Sequence, residues 1–242
     1  PEGLRLDFKA IEEGIKKGAK HIFYNNYNNP TGASSPDNEI ERLANLVVEN
    51  DMFLISDDAY FDTLYDGTPK SIASLPGMVE RTLTMYTFSK KFAMTGWRLG
   101  WLVAPPKARE TLMKLAQNLF ICPSVPAQYA ALAAFSRESR LEIEANRQEL
   151  ARRKEFMLTA LWQLGFRVHG NPDGAFYLYA ELPEAFTDAA HYCSSLLESS
   201  YVALTPGDDF GGEQQKRFVR ISYAQDDARL AEAIHRIQKF NS

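Results

Sequence analysis

Cysteine is scarce in this chain: Cys122 and Cys193 are the only two among 242 residues, they stand far apart, and they fit no metal-type spacing. A reduced compartment, the cytoplasm, is the natural expectation. Histidine is as thin, with His21, His169, His191 and His235 scattered and none assigned a role. Apolar runs never approach membrane length, which argues against a membrane span. Charge of one sign is not in excess, with 27 Lys and Arg against 31 Asp and Glu, so the net charge of −4 carries no basic stripe for nucleic acid. Internal repeats and low-complexity segments are missing too. An ordinary soluble composition remains, 45% hydrophobic and 24% charged, with ample material for a core.

The pattern of that material is α/β. Asp7 to Gly18 reads as a helix with Phe8, Ile11 and Ile15 on one stripe, leading into a strand at His21 to Asn25. Ser35-Pro36 starts the next helix with a cap and a first-turn proline, and Ile40, Leu43, Leu46 and Val47 form its buried face. Strands at Met52 to Ser56 and Leu83 to Thr87 continue the alternation, which predicts a mainly parallel sheet covered by helices. A helix from about Lys107 to Gln117 follows Pro105-Pro106, then a long charged helix from Arg140 to Leu164. Short strands at Phe166 to His169, Phe176 to Glu181, Tyr201 to Leu204 and Arg217 to Tyr223 then alternate with helices at Thr187 to Ser199 and Asp226 to Phe240. The expected division is 1–139 for the larger domain, 140–165 for a connecting helix and 166–242 for a smaller C-terminal α/β domain.

Chemistry concentrates in Ser89-Lys90-Lys91-Phe92-Ala93-Met94-Thr95-Gly96-Trp97-Arg98-Leu99-Gly100. Lys90 follows the strand Thr82-Leu83-Thr84-Met85-Tyr86-Thr87 and precedes Arg98 by eight positions. An amine able to form a Schiff base thus stands near a cation able to hold an anionic cofactor tail. Other motifs appear in order: Asn28-Asn29-Pro30-Thr31-Gly32, Ser56-Asp57-Asp58-Ala59-Tyr60, Gly174-Ala175-Phe176-Tyr177, Pro206-Gly207-Asp208-Asp209-Phe210-Gly211 and Arg220-Ile221-Ser222-Tyr223.

This ordered series resembles the fold-type I, class I and II pyridoxal-phosphate aminotransferases of the aspartate aminotransferase superfamily. The resemblance runs along the whole chain. It implies pyridoxal 5′-phosphate as cofactor, amino acids and 2-oxo acids as substrates, a homodimer, and no nucleic-acid or membrane partner. By this resemblance Lys90 is the Schiff-base lysine and the base for the Cα proton, with Lys91 as competitor. Asp57 partners the pyridinium nitrogen and keeps it protonated; the alternative is an ordinary strand-end acid. Tyr60 and Asn29 share the cofactor's 3′-oxygen, although Asn29-Pro30-Thr31-Gly32 is also a good turn. Arg98, Thr87 and Ser89 grip the phosphate, the alternative for Arg98 being a surface cation paired with an acid. Arg220 binds the substrate carboxylate bidentately, with Arg217 as the decoy on the opposite face. Asp58 is structural.

Three features depart from the family pattern. Tyr27 stands where relatives commonly carry proline. No arginine or lysine lies between Asn118 and Ser136, where dicarboxylate-specific relatives place a cation, so aspartate specificity does not follow. Pro1 opens the chain, and relatives place about a third of their length before Asn-Pro-Thr-Gly. The expectation is a C-terminal two-thirds, with the glycine-rich phosphate cradle, the stacking ring and any targeting peptide upstream. Two rival functions stay open: β-elimination on sulfur amino acids by the same framework, and a non-catalytic regulatory or scaffold role.

Overall fold

The computed structural model describes residues 4–242 and divides into two compact units. The first comprises Arg5–Tyr27 and Ser34–Ala145, the second Asn28–Ala33 and Asn146–Ser242.

In the first unit α1 (Phe8–Lys16) begins at Asp7, whose carboxylate accepts from the Ala10 amide at 3.0 Å. Such a cap contributes about 1 kcal/mol. α1 leads into β1 (His21–Asn25), α2 (Asp37–Glu49) and β2 (Phe53–Asp57). At α2 the sequence expectation needs correcting: Pro36 is the cap residue, no side chain caps the helix, and Ser35 instead donates its amide to Asn26 Oδ1. β3 (Thr82–Thr87) and β4 (Gly100–Val103) complete a sheet ordered β1-β2-β3-β4. The first two pairings are parallel and the last is antiparallel. Ile40, Leu43, Ala44 and Val47 of α2 pack with Tyr24, Leu54 and Met78 in one core, while Leu46 is half-buried against it. Each of the larger aliphatic side chains among these contributes about 1.5–3 kcal/mol through burial.

α3 (Arg109–Leu119) falls near its expected place, and α4 (Val125–Ala133) was not expected. Its Ala127 and Ala131 close a second cluster around Phe88 and Leu99, with Phe92, Met94 and Trp101 packed alongside. An alanine-rich, uncharged helix shows little polar alternation, so periodicity does not reveal it. α5 (Arg137–Gln163) is the long charged helix, and its residues from Asn146 onward belong to the second unit.

The second unit holds β5 (Arg167–Val168), β6 (Tyr177–Glu181), α6 (Ala189–Ser200), β7 (Thr205–Pro206), β8 (Phe218–Ser222) and α7 (Asp227–Asn241). The sheet order is β5-β6-β8-β7 and every pairing is antiparallel. The strand expected at Tyr201–Leu204 is not one: Tyr201 takes the left-handed conformation that ends α6, and pairing starts only at Thr205. A cap geometry overrode the apolar β-forming sequence there. Gly207 fixes the next turn, because a Cβ would meet Gln215 O at 2.5 Å and Phe218 O at 2.8 Å. Among the described residues no helix is long and apolar enough to cross a membrane, and no group of three or more His, Cys, Asp or Glu could hold a metal ion.

The two cysteines lie in different surroundings. Cys122 is exposed, whereas Cys193 is buried in α6 and burial pushes its thiol up to about 12. A thiol reagent at pH 8 is expected to modify Cys122 in the native protein and to reach Cys193 only in denaturant. Peptide mapping reads the outcome; equal labelling of both in the native state would contradict the fold.

Candidate active site

Strand register gathers one set of groups in the first unit. β2 ends at Asp57 and β3 at Thr87, and because these strands run parallel their carboxyl ends lie side by side, Asp57 opposite Met85. Asn25, at the end of β1, donates Nδ2 to the Asp57 carbonyl at 2.8 Å and ties a third strand end to the same edge. Open α/β sheets bind ligands at this edge. The Asp57 carboxylate is half-buried and accepts from the Ala59 amide at 3.1 Å. Next to it Asp58 is buried and accepts from Ser56 Oγ at 2.6 Å, and burial raises its carboxyl above the ordinary range. A group turned inward in this way serves the fold.

Tyr60 is buried three residues past Asp57, and Lys90 Nζ lies 5.4 Å from the centroid of its ring. The neighbouring amine has another partner: Lys91 Nζ pairs with Asp62 Oδ2 at 2.7 Å. The loop after β3 is knitted together around these lysines. Thr87 Oγ1 accepts from the Ser89 amide at 3.0 Å, Thr95 Oγ1 donates to the Ser89 carbonyl at 2.8 Å, and Phe88 donates its amide to the Leu99 carbonyl. Arg98, exposed and left-handed at φ 53°, donates Nη1 to the Thr95 carbonyl at 3.0 Å. It makes no ion pair with a carboxylate among the described residues, unlike the paired surface cation that was its alternative. A cavity of about 610 Å³ opens beside it, lined by Trp97, Phe120, Cys122, Ser124 and Ala127 among others. Gly100 has no room for a side chain, since a Cβ would sit 2.5 Å from the Tyr86 carbonyl.

Asn29 and Arg220 belong to the second unit. Arg220 lies on β8, where Val219 and Ile221 point into the core and Arg220 to the other face. Its Nη1 donates to Asn29 Oδ1 at 2.7 Å and its Nη2 to Thr205 Oγ1 at 3.1 Å. Its Cζ stands 4.6 Å from the Tyr177 ring centroid and 5.0 Å from that of Phe210. Both partners are neutral, and no carboxylate pairs with this arginine among the described residues. Arg217, three positions earlier, turns the other way: Nη2 donates to the Leu182 carbonyl and Nη1 lies 3.7 Å from Glu181. Near Asn29, Tyr27 is buried with φ 52° and the Asn29–Pro30 peptide bond is cis.

Thr205, Tyr177, Phe210 and Asp62 carry no assignment in the sequence reading. Tyr177 and Phe210 stand inside quoted motifs, but their common approach to Arg220 depends on the pairing of β6, β7 and β8. For Asp62 the only available signal was its place two residues beyond Tyr60.

The family described as aminotransferase class I and II matches residues 1–237. An aromatic-amino-acid aminotransferase of Thermococcus litoralis is 36% identical over 238 residues, 98% of this chain and 61% of its own length. An aspartate aminotransferase of Pyrococcus abyssi shows the same identity and coverage. The crystal structure of an aromatic aminotransferase from Pyrococcus horikoshii superposes with a TM-score of 0.91 at 35% identity, covering 98% of this chain and 64% of that one. The chain thus spans a little over three-fifths of the length of these relatives. Matched along almost its whole length, the chain belongs to the class I and II aminotransferase family.

Proposed function

We propose that the protein carrying these residues is a pyridoxal-phosphate-dependent aminotransferase, a cytoplasmic homodimer, that moves an amino group between an L-amino acid and a 2-oxo acid. The observation that carries the reading is the approach of Lys90 to Tyr60 beyond the carboxyl ends of β2 and β3, where β2 ends at Asp57, with Lys91 taken up by Asp62. Family membership supports the activity. Apolar surface left on α3 and α4, with Leu119, Tyr129 and Leu132 largely exposed, supports burial against further protein.

The donor set fits the cofactor: an amine, a carboxylate, a phenol, a guanidinium and two hydroxyls, each suited to one part of it. When bound, the cofactor supplies an electron sink for the charge left as the substrate's Cα proton departs. Lys90 would carry it through Nζ and move that proton. The Asp57 carboxylate would hold the proton on the ring nitrogen. Arg98, Thr87 and Ser89 would bind the phosphate, the arginine by charge-assisted hydrogen bonds. Tyr60 would donate to the ring oxygen. Asn29 Oδ1 is already accepting from Arg220, which leaves Nδ2 as the donor of that side chain. Arg220, held by neutral acceptors, keeps its positive charge for the α-carboxylate shared by both substrates.

Mixing the holoprotein with amino acid alone is expected to convert the cofactor's absorbance once, without turnover, and a 2-oxo acid should then restore it. Continuous release of ammonia and a 2-oxo acid from the amino acid alone would mean elimination, and an unchanged spectrum would mean no reaction. Asn29→Asp places a carboxylate against Arg220 and is expected to raise KM at least about tenfold for amino acid and 2-oxo acid alike, since the substrate must displace an internal counter-ion. Steady-state kinetics with both substrates reads the change, and an unaltered pair of KM values would contradict the role given to Arg220.

A further inference from the structure

We infer that Thr205 is a positioning residue for the substrate carboxylate, fixing the plane of the Arg220 guanidinium through its side-chain oxygen. The inference rests on the reading of Arg220 as the carboxylate-binding residue. Thr205 lies directly opposite Arg220 in the antiparallel ladder of β7 and β8, so both side chains leave the sheet on the same face. Its Oγ1 accepts from Nη2 at 3.1 Å while Asn29 Oδ1 accepts from Nη1 at 2.7 Å. One proton on each terminal nitrogen is thereby engaged, and one on each remains. A carboxylate in a bidentate pair takes two guanidinium protons that lie side by side, so the direction in which the guanidinium is held decides whether it can bind that way.

Two features make Thr205 suited to this work. A β-branched side chain is stiff about χ1, so its oxygen stays where the backbone puts it. The backbone is itself held, because Pro206 pairs with Val219 and Gly207 is packed too closely to admit a Cβ. The rings of Tyr177 and Phe210 lie against the guanidinium as well. They restrain it by contact and by cation–π attraction, which does not choose a direction within the plane. Rotation within the plane is what the hydrogen bonds at Nη1 and Nη2 prevent. A bound carboxylate needs that direction fixed, since a guanidinium free to turn loses one of its two parallel bonds.

The test compares Thr205→Val, which keeps the shape and removes the acceptor, with Thr205→Ser, which restores it. In the holoenzyme Thr205→Val is expected to raise KM for the amino acid and for the 2-oxo acid by about tenfold each, with kcat within about twofold. Thr205→Ser should recover most of the loss. Placed on Arg220→Lys, Thr205→Val should add nothing further, because the group it orients is gone. Unchanged KM values in Thr205→Val, with Arg220→Lys still raising them, overturn the inference alone. An additive loss in the double variant, a fall in kcat without a rise in KM, or failure of serine to rescue also overturns it. Unchanged KM values in Arg220→Lys itself overturn the reading beneath it.

Discussion

β2 and β3 pair in parallel from Leu54 opposite Thr82 to Asp57 opposite Met85, and that register decides which residues meet at the edge of the sheet. A slip by one residue would turn Leu54 out of the core and Asp57 toward the opposite face. The fully buried Leu54 and the core around α2 resist it. Because the chain leaves both strands at the same edge, the turn after Asp57 and the loop after Thr87 are neighbours. Tyr60 and Lys90 then come within reach of each other, and Asp62 with Lys91. The cofactor-binding role proposed for this edge draws on that register and on the hydrogen bonds among Thr87, Ser89 and Thr95 that hold the loop.

In the second unit the governing constraint is electrostatic. Arg220 is half-buried and hydrogen-bonded at both terminal nitrogens, yet both acceptors are neutral. A carboxylate in either place would have neutralised it, as Glu149 and Asp227 do for Arg152 and Arg153 at the surface. Arg217 shows the contrast within the same segment, lying near Glu181 on the other face. A cation with no counter-ion among the described residues is suited to an anion arriving from solution, and a planar fork suits a carboxylate.

The sequence made the strands before each motif legible because they are short, apolar and bounded by turn residues, and β1 falls on its expected limits of His21 and Asn25. Lys90, Asp57 and Arg220 stand out in the sequence through their ordered motifs. What escaped was set by pairing between distant segments. Thr205 falls just past the strand expected at Tyr201 to Leu204; the left-handed Tyr201 ends α6 there instead, and only the register with β8 brings Thr205 to Arg220. α4 escaped because alanine gives no amphipathic contrast. The hydroxyl of Ser35 looked like a helix cap, but Pro36 stands at the cap position, and the Ser35 amide is held by Asn26.

Two adjacent lysines follow β3 and stand in different surroundings: Lys91 is held by Asp62, and Lys90, against Tyr60, is the proposed carrier of the cofactor. Borohydride reduction of the holoprotein, followed by digestion and peptide mapping, locates the cofactor's attachment directly. The pyridoxyl group is expected on Lys90, with Lys91 unmodified. A pyridoxyl group on Lys91 would contradict the account, because the ion pair with Asp62 would then have to be absent in the working protein.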